Sequence, residues 1–119
     1  MRYYIIAGEA SGDLHGSNLI KEIKKLDPGS EFRCWGGDLL KKETNNLVKH
    51  YKSYSYMGFY EVFMNLRKII TNISYCKKDI LEYKPDAIIY VDYPGFNMRI
   101  AKWAKSKNFV NHFYISPQL

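Results

Sequence analysis

Apolar positions along this chain fall into two alternating patterns. Short unbroken apolar runs are followed by longer stretches in which apolar residues return every third or fourth position. RYYIIAG (Arg2–Gly8) is a run closed by glycine, the pattern of a buried first strand. Leu19, Ile20, Ile23 and Leu26 then recur at helical spacing with lysines opposite, and Asp27-Pro28-Gly29 stops that helix. EFRCWGG (Glu31–Gly37) reads as a second strand and a glycine turn, DLLKKETNN as a short helix, and LVKHYK as a weaker third strand. A long amphipathic helix is predicted from Phe59 to Tyr83. Its stripe is Val62, Phe63, Leu66, Ile69, Ile70, Ile73, Cys76, Ile80 and Leu81, and Pro85 ends it. PDAIIYVDYPG is near-continuously apolar from Ala87 to Val91, which suits a central parallel strand covered on both faces. FNMRIAKWAKSKN predicts another helix and VNHFYISP a last strand.

Strands separated by helices imply right-handed βαβ units. The expected fold class is α/β, a Rossmann-like doubly wound parallel sheet. Such sheets bind ligands at the carboxyl ends of their strands, near the switch in strand order. Three segments fall at strand ends: Gly8–Asp13, Asp92–Asn97 and Ser116–Leu119. They are also the loops richest in reactive side chains.

Composition narrows the class of partner. The 119 residues suffice for one domain with a core, and 46% hydrophobic with 25% charged residues reads as globular. No window of eighteen apolar residues free of charge suggests a transmembrane helix. The N-terminus turns polar soon after Ala7 and does not read as a signal peptide, so a cytoplasmic location is expected. Cys34 and Cys76 are far apart and read as free core thiols. The net charge of +6 favours anionic partners: nucleic acid, phosphorylated substrates or an acidic membrane surface. It is equally compatible with an ordinary solvated surface. With 16% aromatic residues, some rings are expected at an interface.

The first strand-end loop, GEASGD, has neither the glycine pattern of a dinucleotide loop nor the Lys-Ser/Thr of a phosphate-binding loop. It leads into a helix N-terminus, which Ser11 or Asp13 could cap. Glu9 has no capping role to assign, and a carboxylate there can accept hydrogen bonds from sugar hydroxyls. In VDYPGFN, Asp92 stands at the exit of the most apolar strand. It is placed for general-base work, or else it is a turn-forming Asp before Pro94-Gly95. Asn97 is a helix cap or a ligand contact. In the stretch Tyr54–Lys68, Phe59, Val62, Phe63 and Leu66 can be core. Tyr56, Met57, Tyr60 and Met64 then lie off that stripe beside Arg67 and Lys68. An exposed apolar patch next to basic groups reads as a membrane or lipid contact, and ordinary core packing is the alternative. His15, His50 and His112 have no metal-ligand spacing.

GEASGD after the first strand, MGFYEV at the start of a long helix, KPDAIIYVDYPGFN and HFYISPQ occur in that order. Together they resemble the N-terminal part of the lipid-A-disaccharide synthase family, and the resemblance covers essentially the whole chain. It implies the N-terminal half of a two-domain GT-B glycosyltransferase. That enzyme transfers 2,3-diacylglucosamine from UDP-2,3-diacylglucosamine to the 6-hydroxyl of 2,3-diacylglucosamine 1-phosphate (lipid X), releasing UDP. It works without a metal or other cofactor at the cytoplasmic face of the inner membrane of Gram-negative bacteria. Asp92 matches the proposed catalytic base. Gly8, Glu9, Ser11, Gly12 and Asp13 match the loop facing the cleft, with Asn97 as a further substrate contact. Met57, Gly58 and Glu61 match the segment beside the lipid-binding surface, which Tyr56, Tyr60, Met64, Arg67 and Lys68 would extend. Position 95 is Gly where many members carry Asp, and no role is carried onto it. Family members run about three times as long, so the UDP-binding domain is expected beyond residue 119 and residues 1–119 alone are expected to be inactive. An exposed interdomain face makes a homodimer possible.

Two rival readings have specific weaknesses. A non-catalytic Rossmann-like module that binds a nucleotide or regulates would need a phosphate cradle, and Glu9 and Asp13 repel phosphate. A nucleic-acid-binding domain would cluster its lysines in one stripe, whereas here they are spread over several helices.

Overall fold

A computed structural model describes residues 1–54 and 63–114. The elements run β1 (Arg2–Ala7), α1 (Ala10–Leu26), β2 (Glu31–Gly36), α2 (Asp38–Thr44), β3 (Leu47–His50), a 3-10 turn (Tyr51–Ser53), α3 (Leu66–Tyr83), β4 (Ala87–Val91), α4 (Pro94–Ser106) and β5 (Asn111–Tyr114). The five strands form one sheet in the order β3-β2-β1-β4-β5, and every pairing is parallel. The expected α/β Rossmann-like fold is therefore present. The strand order reverses between β1 and β4, which are direct neighbours with Ala7 opposite Val91. That junction is the switch point at which doubly wound sheets place their ligands.

Alternation along the strands divides the core into two. Ile5 and Ala7 of β1 and Ile89 and Val91 of β4 face one way, onto Ile20 of α1 and Leu40 of α2. Tyr4, Ile6, Ile88 and Tyr90 face the other way, onto Ile73, Cys76 and Ile80 of α3 and Phe96, Ile100 and Ala104 of α4. All five residues of β4 are buried, as its unbroken apolar run predicts. Both cysteines are free and buried, and burial pushes both thiols well above the usual range.

The predicted stripe of α3 is wider than the face that is buried. Ile73, Cys76 and Ile80 lie in the core, but Phe63 is 76% exposed, Leu66 51%, Ile70 54% and Leu81 46%. Those apolar residues span too wide an arc for one sheet to cover. The inward face is completed instead by Asn72 and Asp79. Phe59 and Val62, also expected in this helix, lie outside the described residues. In α1, Leu26 likewise ends the predicted stripe exposed rather than buried.

Polar groups tie α3 to the sheet. Asp79 accepts from Arg33 Nε and Nη2 at 2.6 and 2.7 Å and from the Tyr4 hydroxyl at 2.8 Å. Tyr4 in turn accepts from Trp35 Nε1 at 2.6 Å. The Arg33 fork and the Asp79 carboxylate meet in two parallel charge-assisted bonds. Burial, with Cys76 and Asp79 nearby, drives the Tyr4 phenol far above its ordinary pKa, so it stays a donor. Removing the carboxylate strands both partners. Asp79→Ala is expected to lower stability by roughly 3 kcal/mol in urea unfolding.

Candidate active site at the carboxyl edge of the sheet

The loops after β1 and β4 lie side by side because their strands are paired to the last residue, Ala7 with Val91. The loop after β4 is an unusual turn. Asp92 and Tyr93 are both left-handed, at φ 51° and 55°, a conformation uncommon for residues with a side chain. Pro94 then opens α4 at its first position, where its fixed φ suits a helix start. Pro94-Gly95 therefore begins a helix here and does not form an extended loop.

Three contacts hold the turn. Asn97, 1% exposed, donates from Nδ2 to the carbonyls of Asp92 at 2.6 Å and Ile6 at 3.2 Å, stitching the turn to β1. It is neither a helix cap nor open to solvent, and Tyr93 holds the N-cap position of α4. Tyr93 donates from its hydroxyl to the Tyr54 carbonyl at 2.8 Å. Its ring covers Gly8 so closely that a Cβ on residue 8 would lie 2.2 Å from Tyr93 Cγ. Glycine at 8 is thus required by the aromatic ring above it.

Tyr54 completes the support. It is 1% exposed, and its hydroxyl donates to the Ala7 carbonyl at the end of β1. Burial raises its pKa, keeping it a donor. Tyr54 thus belongs to the core and not to a membrane-facing surface, although it opens the stretch Tyr54–Lys68. Tyr54 and Tyr93 were not singled out from the sequence. Their only signal is an aromatic placed next to a strand-end loop.

The carboxylates expected in the first loop separate into two kinds. Glu9 occupies the N-cap position of α1 without a side-chain capping bond. It is exposed and accepts from Ser11 Oγ at 3.1 Å. Asp13, 4% exposed, does not cap its own helix. It caps the next one, accepting from the backbone N–H groups of Gly37 at 2.8 Å, Leu39 at 3.1 Å and Leu40 at 3.0 Å. Both oxygens bond the start of α2, and the carboxylate is buried there. Gly12 lies where α1 crosses the strand ends, and a Cβ there would sit 3.1 Å from Ala7 Cβ.

Asp92 itself is half-buried, and among the described residues its carboxylate has no hydrogen-bond or ion-pair partner. An unpaired carboxylate on a rigid turn, between the N-termini of α1 and α4, is suited to accept a proton from a bound hydroxyl. Beside it, a groove of about 380 Å³ runs between α3 and α4, lined by Ile69, Ile70, Ile73 and Phe96. Of the expected lipid-contact residues, Met64, Arg67 and Lys68 are exposed next to exposed Phe63 and Leu66. Tyr56, Met57, Gly58, Tyr60 and Glu61 lie outside the described residues, as does the third strand-end loop at Ser116–Leu119. Among the described residues no group of three His, Cys, Asp or Glu side chains could hold a metal ion. No described helix is long and apolar enough to cross a membrane.

A Rossmann-like domain with a lone carboxylate at its switch point belongs to the class of α/β domains that bind ligands at that edge. The family model for lipid-A-disaccharide synthetase matches residues 3–119, and this chain belongs to that family. It is 41% identical over 115 residues to the lipid-A-disaccharide synthase of Syntrophus aciditrophicus, covering 97% of this chain and 30% of that protein. It is 41% identical over 118 residues to that of Geobacter metallireducens, covering 99% and 31%. Lipid-A-disaccharide synthase 1 of Legionella pneumophila (strain Philadelphia 1) is 37% identical over 119 residues, with 99% and 31% covered. The chain thus spans less than a third of the length of these curated relatives.

Two substitutions check the geometry. Asp13→Ala leaves three N–H groups of α2 unsatisfied and is expected to cost roughly 1–3 kcal/mol, lowering the thermal midpoint by several degrees. Gly8→Val should displace the Tyr93 ring, seen as a change in the near-ultraviolet circular dichroism of the aromatic cluster. An unchanged aromatic spectrum would mean that Tyr93 does not rest on residue 8.

Proposed function

We propose that this chain forms the acceptor side of a glycosyltransferase of lipid A biosynthesis. In this reading 2,3-diacylglucosamine passes from UDP-2,3-diacylglucosamine to the 6-hydroxyl of 2,3-diacylglucosamine 1-phosphate. The observation that carries it is Asp92. In a chain of this family, an unpaired carboxylate stands on a clamped left-handed turn at the switch point, with an apolar groove beside it.

The chemistry follows from that placement. The acceptor hydroxyl attacks the anomeric carbon of the donor while Asp92 takes its proton. The bond from that carbon to the diphosphate breaks, and UDP leaves with the electron pair. Exposed Glu9 and Ser11 are placed to bond sugar hydroxyls. Gly8, Gly12, Asp13 and Asn97 act one step back, by shaping the two loops against each other. Groups that steady the departing diphosphate are assigned to sequence outside residues 1–119, so the isolated chain is expected to turn over neither substrate.

Both sugars carry acyl chains and phosphate, which favours work at an anionic membrane surface, on the cytoplasmic face of the inner membrane. The exposed apolar residues Phe63, Met64 and Leu66 beside exposed Arg67 and Lys68 support that partner. The stretch Tyr56–Glu61 is assigned to the same surface on its family motif.

The direct test is Asp92→Asn in an enzyme of full family length. Asn tolerates the left-handed backbone, so the turn is kept while the base is lost. Disaccharide formation, followed by mass spectrometry, should fall by about 10²–10⁴-fold with an unchanged unfolding midpoint. Wild-type turnover by this variant would remove Asp92 as the base.

A further inference from the structure

The groove beside Tyr93 does not end at Ile73. It continues between α3 and α4 into a second hollow of about 570 Å³, joined to the first through Ile70, Ile73 and Arg99. Helical spacing makes this hollow regular. Ile70, Ile73, Ser74 and Lys77 of α3 recur at i, i+3, i+4 and i+7, and so do Arg99, Lys102, Trp103 and Ser106 of α4. Each helix therefore presents one stripe to the other across the hollow. The stripes are apolar at the floor and cationic at the rim.

The three rim cations are without a carboxylate partner among the described residues. Among the described residues, none of Lys77, Arg99 and Lys102 forms a salt bridge or a hydrogen bond, in contrast to Arg33, which is paired with Asp79. Lys77 lies 5.9 Å from the ring of Trp103, a contact that leaves its ammonium open to an anion. Arg99 and Lys102 are exposed. Three unneutralised cations around one hollow attract a phosphate. An exposed apolar edge adjoins them: Ile70 at 54%, Leu66 at 51% and Phe63 at 76%. A free phosphate would leave that edge in water, whereas a lipid covers both parts at once.

We propose that the α3–α4 hollow is a docking site for the anionic phosphate headgroup of a membrane lipid, held by Lys77, Arg99 and Lys102 over Trp103. The lipid's acyl portion lies along Ile70 toward the groove at Tyr93. This deepens, and rests on, the membrane partner proposed above. It adds a headgroup site on α3 and α4 to a surface otherwise assigned to residues 56–68. It also sets an orientation, since seating α3 and α4 on the bilayer brings the mouth of the apolar groove at Tyr93 to the membrane.

The test is vesicle co-sedimentation of the whole chain, with pure phosphatidylcholine vesicles and with mixed phosphatidylcholine–phosphatidylglycerol vesicles. The wild type should bind the mixed vesicles and not the neutral ones. The Lys77→Gln/Arg99→Gln/Lys102→Gln variant should lose about a hundredfold in partition constant. A control with equal charge loss on exposed lysines of α1 and α2, Lys21→Gln/Lys41→Gln/Lys42→Gln, should lose several-fold less. Equal losses in the two variants would overturn the site and leave only general attraction. Vesicle binding that inorganic phosphate leaves unchanged at constant ionic strength, while phosphate itself binds the wild type and not the variant at Lys77, Arg99 and Lys102, would also overturn it, in favour of a free-phosphate site. If the wild type binds neither vesicle, the membrane partner itself falls, an outcome distinct from failure of the hollow. All six side chains are exposed or half-exposed, so unchanged far-ultraviolet circular dichroism is expected throughout.

Discussion

The parallel pairing of β1 with β4 is the constraint on which the rest depends. Each strand is buried on both faces, and the two run in register to the final pair, Ala7 and Val91. Whatever follows either strand must therefore emerge beside the other. The Asp92–Tyr93 turn is left-handed at two successive residues, a costly conformation unless its surroundings enforce it. Asn97 from α4, the Tyr93 ring on Gly8, and Tyr54 bonded to Ala7 supply that enforcement. The Asn97 and Tyr93 contacts reach across the switch point, so the turn keeps its shape only while β1 and β4 remain paired.

A second layer of support comes from Asp13. Its carboxylate sits near the start of α1 and binds the N-terminus of α2, locking the loop after β1 to the loop after β2. Helix N-termini carry unsatisfied N–H groups and a partial positive charge, so a buried carboxylate is favourable there. The motif GEASGD thus combines two tasks. Glu9 and Ser11 are exposed and bonded to each other, while Asp13 faces inward and orders the edge of the sheet.

The architecture was legible in the sequence because it rests on period. The unbroken run Ala87–Val91 announces a strand covered on both faces, and the helical recurrence in α1, α3 and α4 announces what covers it. Asp92 was legible because a carboxylate closing so apolar a strand needs a reason. Other parts were hidden for physical causes. The partner of Asp13 lies about two dozen positions away and becomes apparent only when α1 and α2 pack. Phe63 and Leu66 have the spacing of core residues, but the sheet covers only part of that arc. Tyr54 carries no periodic signal of its own, and its place in the core, with its hydroxyl on β1, follows only from the folded arrangement. The cationic hollow was also out of reach, because Lys77 belongs to one helix and Arg99 and Lys102 to another.

In the proposed reaction this clamped turn brings the Asp92 carboxylate to the acceptor hydroxyl. A crystal structure of a full-length enzyme carrying this segment, with 2,3-diacylglucosamine 1-phosphate bound, measures that distance directly. The expected result is an Asp92 carboxylate oxygen about 2.6–3.2 Å from the 6-hydroxyl oxygen, or joined to it through one water, with Asp92 and Tyr93 still left-handed. A 6-hydroxyl bonded to a different base, with Asp92 turned away from the sugar, would contradict it.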